Sequence, residues 1–243
     1  KIDFKLLKTG INFTLNLDKN LTSIVKGNFK GNLLNSNLKF DYVFDRRSIK
    51  IANLYFRDKN MSFDSDGLIL IKPYLSFDLN TKLNDINTSI IKNLNIPKLL
   101  SSKDLIKKIN SKNKIIFESN KFSGHLIDNF YLNSKLAYGR LNISKNFLIG
   151  ESNFNCLNEI NLLDEYPVLN FKCSLKTTDL KKLLKKLKIS NKIKNKKLEL
   201  YAEGNLNILN SKINFVSISQ SDKYKASNED LIFFKDSFEK ILF

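Results

Sequence analysis

Apolar and polar residues alternate one for one through stretch after stretch of this chain. That period confines the backbone to extended conformation, because successive side chains of a strand point to opposite faces. Ile11, Phe13, Leu15 and Leu17 alternate with Asn12, Thr14 and Asn16, so one face of that strand is apolar and the other polar. Leu38, Phe40, Tyr42 and Phe44 repeat the pattern, Ile49 and Ile51 lead into Leu54 and Phe56, and Leu75, Phe77, Leu79 and Leu83 follow. Turn-forming clusters separate these runs: Asp18-Lys19-Asn20, Asp45-Arg46-Arg47-Ser48, Asp58-Lys59-Asn60 and Asp64-Ser65-Asp66-Gly67. Strands joined by such short turns form an antiparallel meander. A parallel βαβ sheet is disfavoured, since strands covered on both faces read as continuous apolar runs.

From about 85 to 112 the period changes. Ser101-Ser102-Lys103-Asp104 is a capping-box variant that opens a helix with Leu105, Ile106 and Ile109 on one face, and a shorter helical turn near 88–94 ends before Pro97. A second meander resumes with Ile115 and Phe117, then Phe130, Leu132, Leu136 and Tyr138, then Leu141 and Ile143, Phe147 and Ile149, and Leu169, Phe171, Cys173 and Leu175. Over about 179–189, Leu180, Leu183, Leu184 and Leu187 share one helical face opposite five lysines. Strands at 197–209 and 212–219 follow, and Ser227 to Asp230 caps a final helix carrying Leu231, Phe234, Phe238 and Ile241. The expected fold is mainly β: a long, strongly twisted antiparallel sheet curved into a groove, with helices near 88–112, 179–189 and 229–242. Its parts are a first meander with a helical insert over 1–113 and a second β region over 114–243.

Composition narrows the function. Apolar residues make up 42% of the 243, with 19 Phe, 8 Tyr and no Trp, which is ample for a folded core. The net charge is +17, yet only Arg46, Arg47, Arg57 and Arg140 are arginines. Base readout favours the planar guanidinium, and no RNP pattern, helix-turn-helix or zinc finger accompanies the charge, so nucleic acid is a disfavoured partner. Asn is about one residue in seven, beside many Lys and Ile, a pattern of AT-rich coding that places part of the charge on solvated faces. His125 is the only histidine, which excludes most His-dependent catalysis and any multi-His metal site. Asp64 and Asp66 lack the downstream Glu of a calcium loop and read as a turn, and the neighbours Asp164 and Glu165 have poor geometry for paired acid/base work. No catalytic residue, metal or cofactor is expected. No apolar run approaches the ~20 residues of a membrane span. A chain starting at Lys1 rather than Met fits a processed protein or a fragment of a longer one.

The segments 130–143 (FYLNSKLAYGRLNI), 149–154 (IGESNF), 166–189 (YPVLNFKCSLKTTDLKKLLKKLKI) and 197–208 (KLELYAEGNLNI) follow one cadence. A strand, a Gly at a tight turn and another strand lead to a "p.l.f.l" strand, a "DL..LL" helix and a strand ending in Gly. Gly139, Gly150, Asp179-Leu180, Leu183-Leu184 and Gly204 occupy those places. In this, residues 114–243 resemble the C-terminal region of AsmA-like envelope proteins (the AsmA, YhdP and TamB type). The meander before residue 86 is compatible with the same family. The resemblance implies a Gram-negative envelope protein that supplies lipid to the outer membrane. It also implies a location in the periplasm, held by an inner-membrane anchor that this sequence lacks.

A half-apolar sheet ordinarily packs on its own helices, but here many strands share few helices, so part of the apolar face is available to acyl chains. Each buried CH₂ is worth ~0.8 kcal/mol, and a two-chain lipid leaving a bilayer needs a continuous floor worth on the order of 20 kcal/mol. Candidate floor residues are Ile11, Phe13, Leu15, Phe40, Tyr42, Phe77, Leu136, Tyr138 and Phe171. Lys181, Lys182, Lys185 and Lys186 are candidates for attracting anionic headgroups, or form the solvated face of a helix. The function expected is a non-enzymatic lipid-binding or lipid-conducting segment; the alternative is a scaffold for outer-membrane assembly without lipid conduction. Cys156 and Cys173 are equidistant from the turn-like Asp164-Glu165 and keep phase with Phe154 and Phe171. They are either opposed partners in a disulfide or two buried thiols filling a core.

Overall fold

The structure is a computed structural model that describes residues 2–6, 11–19, 24–33, 36–86, 100, 102–119, 126–188, 196–221 and 224–242. The side chains of 3–6, 11–13, 17–19, 33, 86 and 241–242 are not among those described. The protein is mainly β. Backbone contacts divide it into two compact units, Lys1–Leu94 with Lys108–Phe117, and Asn95–Lys107 with Glu118–Phe243.

The first unit contains β1 (Ile2–Leu6), β2 (Ile11–Lys19), β3 (Val25–Leu33), β4 (Ser36–Phe44), β5 (Ser48–Arg57), β6 (Met61–Leu70), β7 (Leu75–Ile86) and β8 (Ile109–Glu118). From β1 to β7 each strand pairs antiparallel with the next. Side-chain oxygens build the turns: Asp45 Oδ1 accepts from the Arg47 and Ser48 amides at 2.7 and 2.6 Å, and Asp58 Oδ1 accepts from Asn60 and Met61, both at 2.7 Å. These local bonds compete with the ladder and end the strands. The backbone N–H of Arg47, the Ser48 hydroxyl and the Ser48 N–H all favour ionised Asp45 and hold its carboxyl below the ordinary range.

Three features of this unit depart from the sequence expectation. The Asp64 to Gly67 cluster is no turn: β6 runs straight through it, paired on both sides, with Ser65 Oγ bonded to the Asn80 carbonyl at 2.9 Å. Asp64 and Asp66 point to the polar face, where Asn84 and Asn80 donate to them. Second, Ile109 to Lys112 belong to β8 rather than to a helix. Third, β8 pairs parallel to β7, from Leu75 opposite Ile109 to Leu83 opposite Phe117, whereas the pairs from β1 to β7 are antiparallel. The long connection over 87–108 makes it feasible, since parallel neighbours need a crossover to return the chain to the same end. The helical turn expected at 88–94 lies outside the described residues.

The second unit holds α1 (Lys103–Lys108), β9 (Asn129–Ala137), β10 (Arg140–Ile149), β11 (Ser152–Asn161), β12 (Val168–Thr177), α2 (Leu180–Lys186), β13 (Leu198–Asn207), β14 (Lys212–Gln220), β15 (Tyr224–Lys225) and α3 (Asn228–Leu242). Its strands pair antiparallel in chain order. Asp179 caps α2 by accepting from the Lys182 amide at 2.8 Å. At α3 the Ser227 hydroxyl accepts from the Asp230 amide at 3.2 Å while Asp230 Oδ2 accepts from the Ser227 amide at 2.9 Å, a reciprocal capping box with Asp in the place of Glu. At α1 the first helical bonds run to the Ser102 carbonyl, which makes Ser102 the cap.

Tyr138 leaves the sheet. β9 ends at Ala137, which faces Arg140, and the two residues between them have φ of 51° and 80°. A two-residue hairpin in this hand needs both central residues at positive φ, and Gly139 meets that need without strain. Tyr138 is therefore 70% exposed at a turn, not part of an apolar face. Cys156 and Cys173 are directly opposed on β11 and β12, with Cα atoms 4.1 Å apart, and are joined by a disulfide.

Candidate apolar binding face

In the first unit, ladder register collects the apolar residues on one side. Val25 lies opposite Phe44, Phe29 opposite Phe40, Leu38 opposite Phe56, Tyr42 opposite Ile51, Phe56 opposite Phe63, Phe63 opposite Leu83 and Ile69 opposite Phe77. Leu15 joins them opposite Phe29. Rings stack across strands, Phe29 on Phe40 at 5.0 Å and Phe56 on Phe63 at 5.1 Å between centroids. Cross-strand aromatic pairs of this kind stabilise a sheet beyond the area they bury.

Gly27 and Gly67 interrupt the apolar phase because they must: a Cβ on Gly27 would strike the Asn16 carbonyl and the Tyr42 ring, and one on Gly67 would strike the Asp78 carbonyl. The Tyr42 ring lies over the Gly27 backbone and its hydroxyl donates to the Asn16 carbonyl at 3.2 Å. Burial pushes the Tyr42 phenol above its ordinary value.

The consequence for exposure is what marks this face. Among the described residues of 2–86 there is no helix, and of the described residues on this face of β2 to β7 only Ile51 and Ser65 are buried; the other apolar side chains are half-buried. The opposite face is polar, with Lys26, Lys30, Lys39, Lys50 and Asp41 exposed and Lys39 Nζ 5.0 Å from the Tyr55 ring centroid. A shallow hollow on that side is lined by charges of both signs, including Lys39, Asp64, Asp66, Lys82 and Lys114.

In the second unit the apolar face is covered at its two ends. At one end α2 sets Leu180 and Leu183 on Ile149, with Phe147, Phe154, Leu175 and Leu198 around them. At the other, α3 places Phe238 edge-on to Phe215 at 5.6 Å, Phe215 meets Phe171 at 5.8 Å, and Glu239 accepts from the Ile213 amide at 3.1 Å. Between these ends runs the ladder row Leu132, Lys145, Cys156, Cys173, Ala202 and Ile218, whose members are only half-buried.

Of the residues expected on an apolar face, Leu15, Phe40, Tyr42 and Phe77 share one side of the first unit, and Leu136 and Phe171 share one side of the second. Ile11 and Phe13 fall within β2, but their side chains are outside the described residues. Two of the four lysines of α2 have carboxylate partners. Lys182 bonds Glu151 at 2.5 Å and Lys186 pairs with Asp128, while Lys181 and Lys185 stay exposed. Hydrogen bonding to Glu151 and its charge raise the Lys182 ammonium above its ordinary value.

Lys145 is a further candidate, a lone lysine in the apolar phase of β10; in the sequence it separates Leu141 and Ile143 from Phe147 and Ile149, whereas β10 runs continuously through it. His125 lies outside the described residues. Among the described residues no cluster of His, Cys, Asp and Glu could hold a metal ion, and no helix is long and apolar enough to cross a membrane. No family model, curated protein or solved structure matches the chain.

Proposed function

We propose that this chain is a non-enzymatic lipid-binding segment of a bacterial envelope protein, whose apolar faces shield acyl chains on their way to the outer membrane. The observation that carries this reading is the half-buried apolar face of the first unit, on which no helix lies among the described residues of 2–86. The apolar area that these half-buried aromatic and aliphatic side chains still expose is costly at roughly 25 cal/mol per Å², and an acyl chain laid across them removes that cost. The disulfide favours an oxidising compartment such as the periplasm, because reducing pools keep cytosolic thiols free. The pattern shared with AsmA-like proteins points the same way.

Native mass spectrometry of the chain, purified from an oxidising compartment without detergent, tests the proposal. The expected result is a population carrying phospholipid mass, restored after delipidation by incubation with phospholipid vesicles. Replacing Phe40 and Phe56 by Asp together should abolish that uptake. A lipid-free protein that takes up nothing from vesicles would overturn the lipid reading and leave a scaffold in its place.

A further inference from the structure

Lys145 is the one charged residue at the described apolar-face positions of the second unit. Its ladder partners are Leu132 on β9 and Cys156 on β11, and the disulfide to Cys173 continues the row. Two lysines on the polar side have carboxylates to meet: Lys172 bonds Glu203 at 2.9 Å and Lys176 bonds Glu199 at 2.5 Å. Among the described residues no carboxylate pairs with Lys145, and burial alone lowers its ammonium below the ordinary value. A partly buried cation without a counter-ion is destabilising unless something supplies one.

A second polar group lies one ladder step away. Asn158, opposite Ile143 and two residues along β11 from Cys156, is 7% exposed, and its Oδ1 has no hydrogen-bond partner. Diagonal neighbours on one face of a sheet stand about 7–8 Å apart, within the span of one headgroup and the long lysine side chain. The two form a polar island: Lys145 lies in the half-buried strip between α2 and α3, and the buried Asn158 stands beside it.

We infer that Lys145 anchors the phosphodiester of a diacyl phospholipid whose acyl chains lie along the apolar face, with Asn158 accepting from a hydroxyl of the headgroup. This inference rests on the lipid reading above and deepens it. Charge complementarity selects the occupant: a neutral lipid leaves the ammonium unpaired, and a free anion leaves the surrounding Leu132, Ala202 and Ile218 uncovered.

The test uses the full chain, delipidated, with three probes: dioleoyl phosphatidylglycerol, dioleoylglycerol with the same chains and no phosphate, and glycerol phosphate with no chains. Wild-type protein should bind the phospholipid in preference to both others. Lys145→Met should weaken phospholipid binding about tenfold, the scale of one charge-assisted hydrogen bond, and leave dioleoylglycerol unchanged. Lys145→Arg should restore the preference, and unchanged circular dichroism with an intact disulfide would show that both variants fold. If Lys145→Met binds phospholipid as well as wild type does, or if glycerol phosphate binds as tightly as the lipid, the anchor is overturned while the lipid reading stands. If wild type binds neither lipid, both fall together.

Discussion

Tyr138 and Gly139 illustrate how one residue can decide where a strand stops. Gly139 holds a φ of 80°, and a Cβ added there would meet the Leu163 side chain. Gly139→Ala should therefore destabilise the second unit by about 1–3 kcal/mol, read as a lower urea midpoint. Tyr138 was legible as an aromatic in phase with Leu136. What the alternation could not convey is that the following Gly converts that position into a turn, because period-two patterning says nothing of φ. Asp230 makes a pH prediction at the same scale. The Tyr224 hydroxyl and both the amide and hydroxyl of Ser227 hold its carboxyl below the ordinary value. A carboxyl lowered in the folded state contributes stability above its unfolded value and loses it as pH falls through the folded one. The protection of amides at the start of α3, measured against the unstructured chain at the same pH, should thus be retained at neutral pH and fall in acid below the ordinary aspartate range, and Asp230→Asn should flatten that dependence. An unchanged acid response in the variant would refute the assignment.

At the level of elements, the strongly alternating strands were legible and those with glycines were not. β4, β7, β12 and β14 carry apolar residues at nearly every second position, whereas β3 presents Gly27 and Gly31 in its apolar phase and reads as polar. Gly27 is set by the neighbouring strand, whose Tyr42 ring needs the space, so its signal is tertiary. The parallel pairing of β7 with β8 was illegible for a similar reason, since nothing within either strand records the direction of its neighbour. The cysteine register was readable because a hairpin conserves the midpoint between its strands, and the turn at Asp164-Glu165 fixed that midpoint. The bridge spans a sequence separation of 17, and in the chain-entropy account such a loop stabilises by about 3 kcal/mol. Reduction, or Cys156→Ser with Cys173→Ser, should lower stability by about that much in a denaturant titration while leaving the β-sheet circular dichroism intact. Equal stability in both redox states would mean that the surrounding ladder already restrains the unfolded chain.

On the scale of the whole molecule, each unit is a ladder in which a described strand pairs only with its nearest neighbours, and one face collects most of the apolar side chains. The candidate face was legible as a class of surface before any coordinates, because alternation fixes sides. Its exposure was not, since alternation within strands does not place the helices, such as α2 and α3 of the second unit, that cover particular rows. The uptake experiment with Phe40 and Phe56 belongs here, because it asks about a surface rather than a residue. The neighbour-only order carries one more implication, for descent. Inserting a single residue into a strand slips its register and turns its apolar side outward. Duplicating a whole hairpin preserves every side and every existing pairing, and with strands about 4.8 Å apart it extends the face by roughly 10 Å. The reach of such a surface is therefore inherited in hairpin-sized increments, and relatives of this chain should differ in length by pairs of strands rather than by single ones.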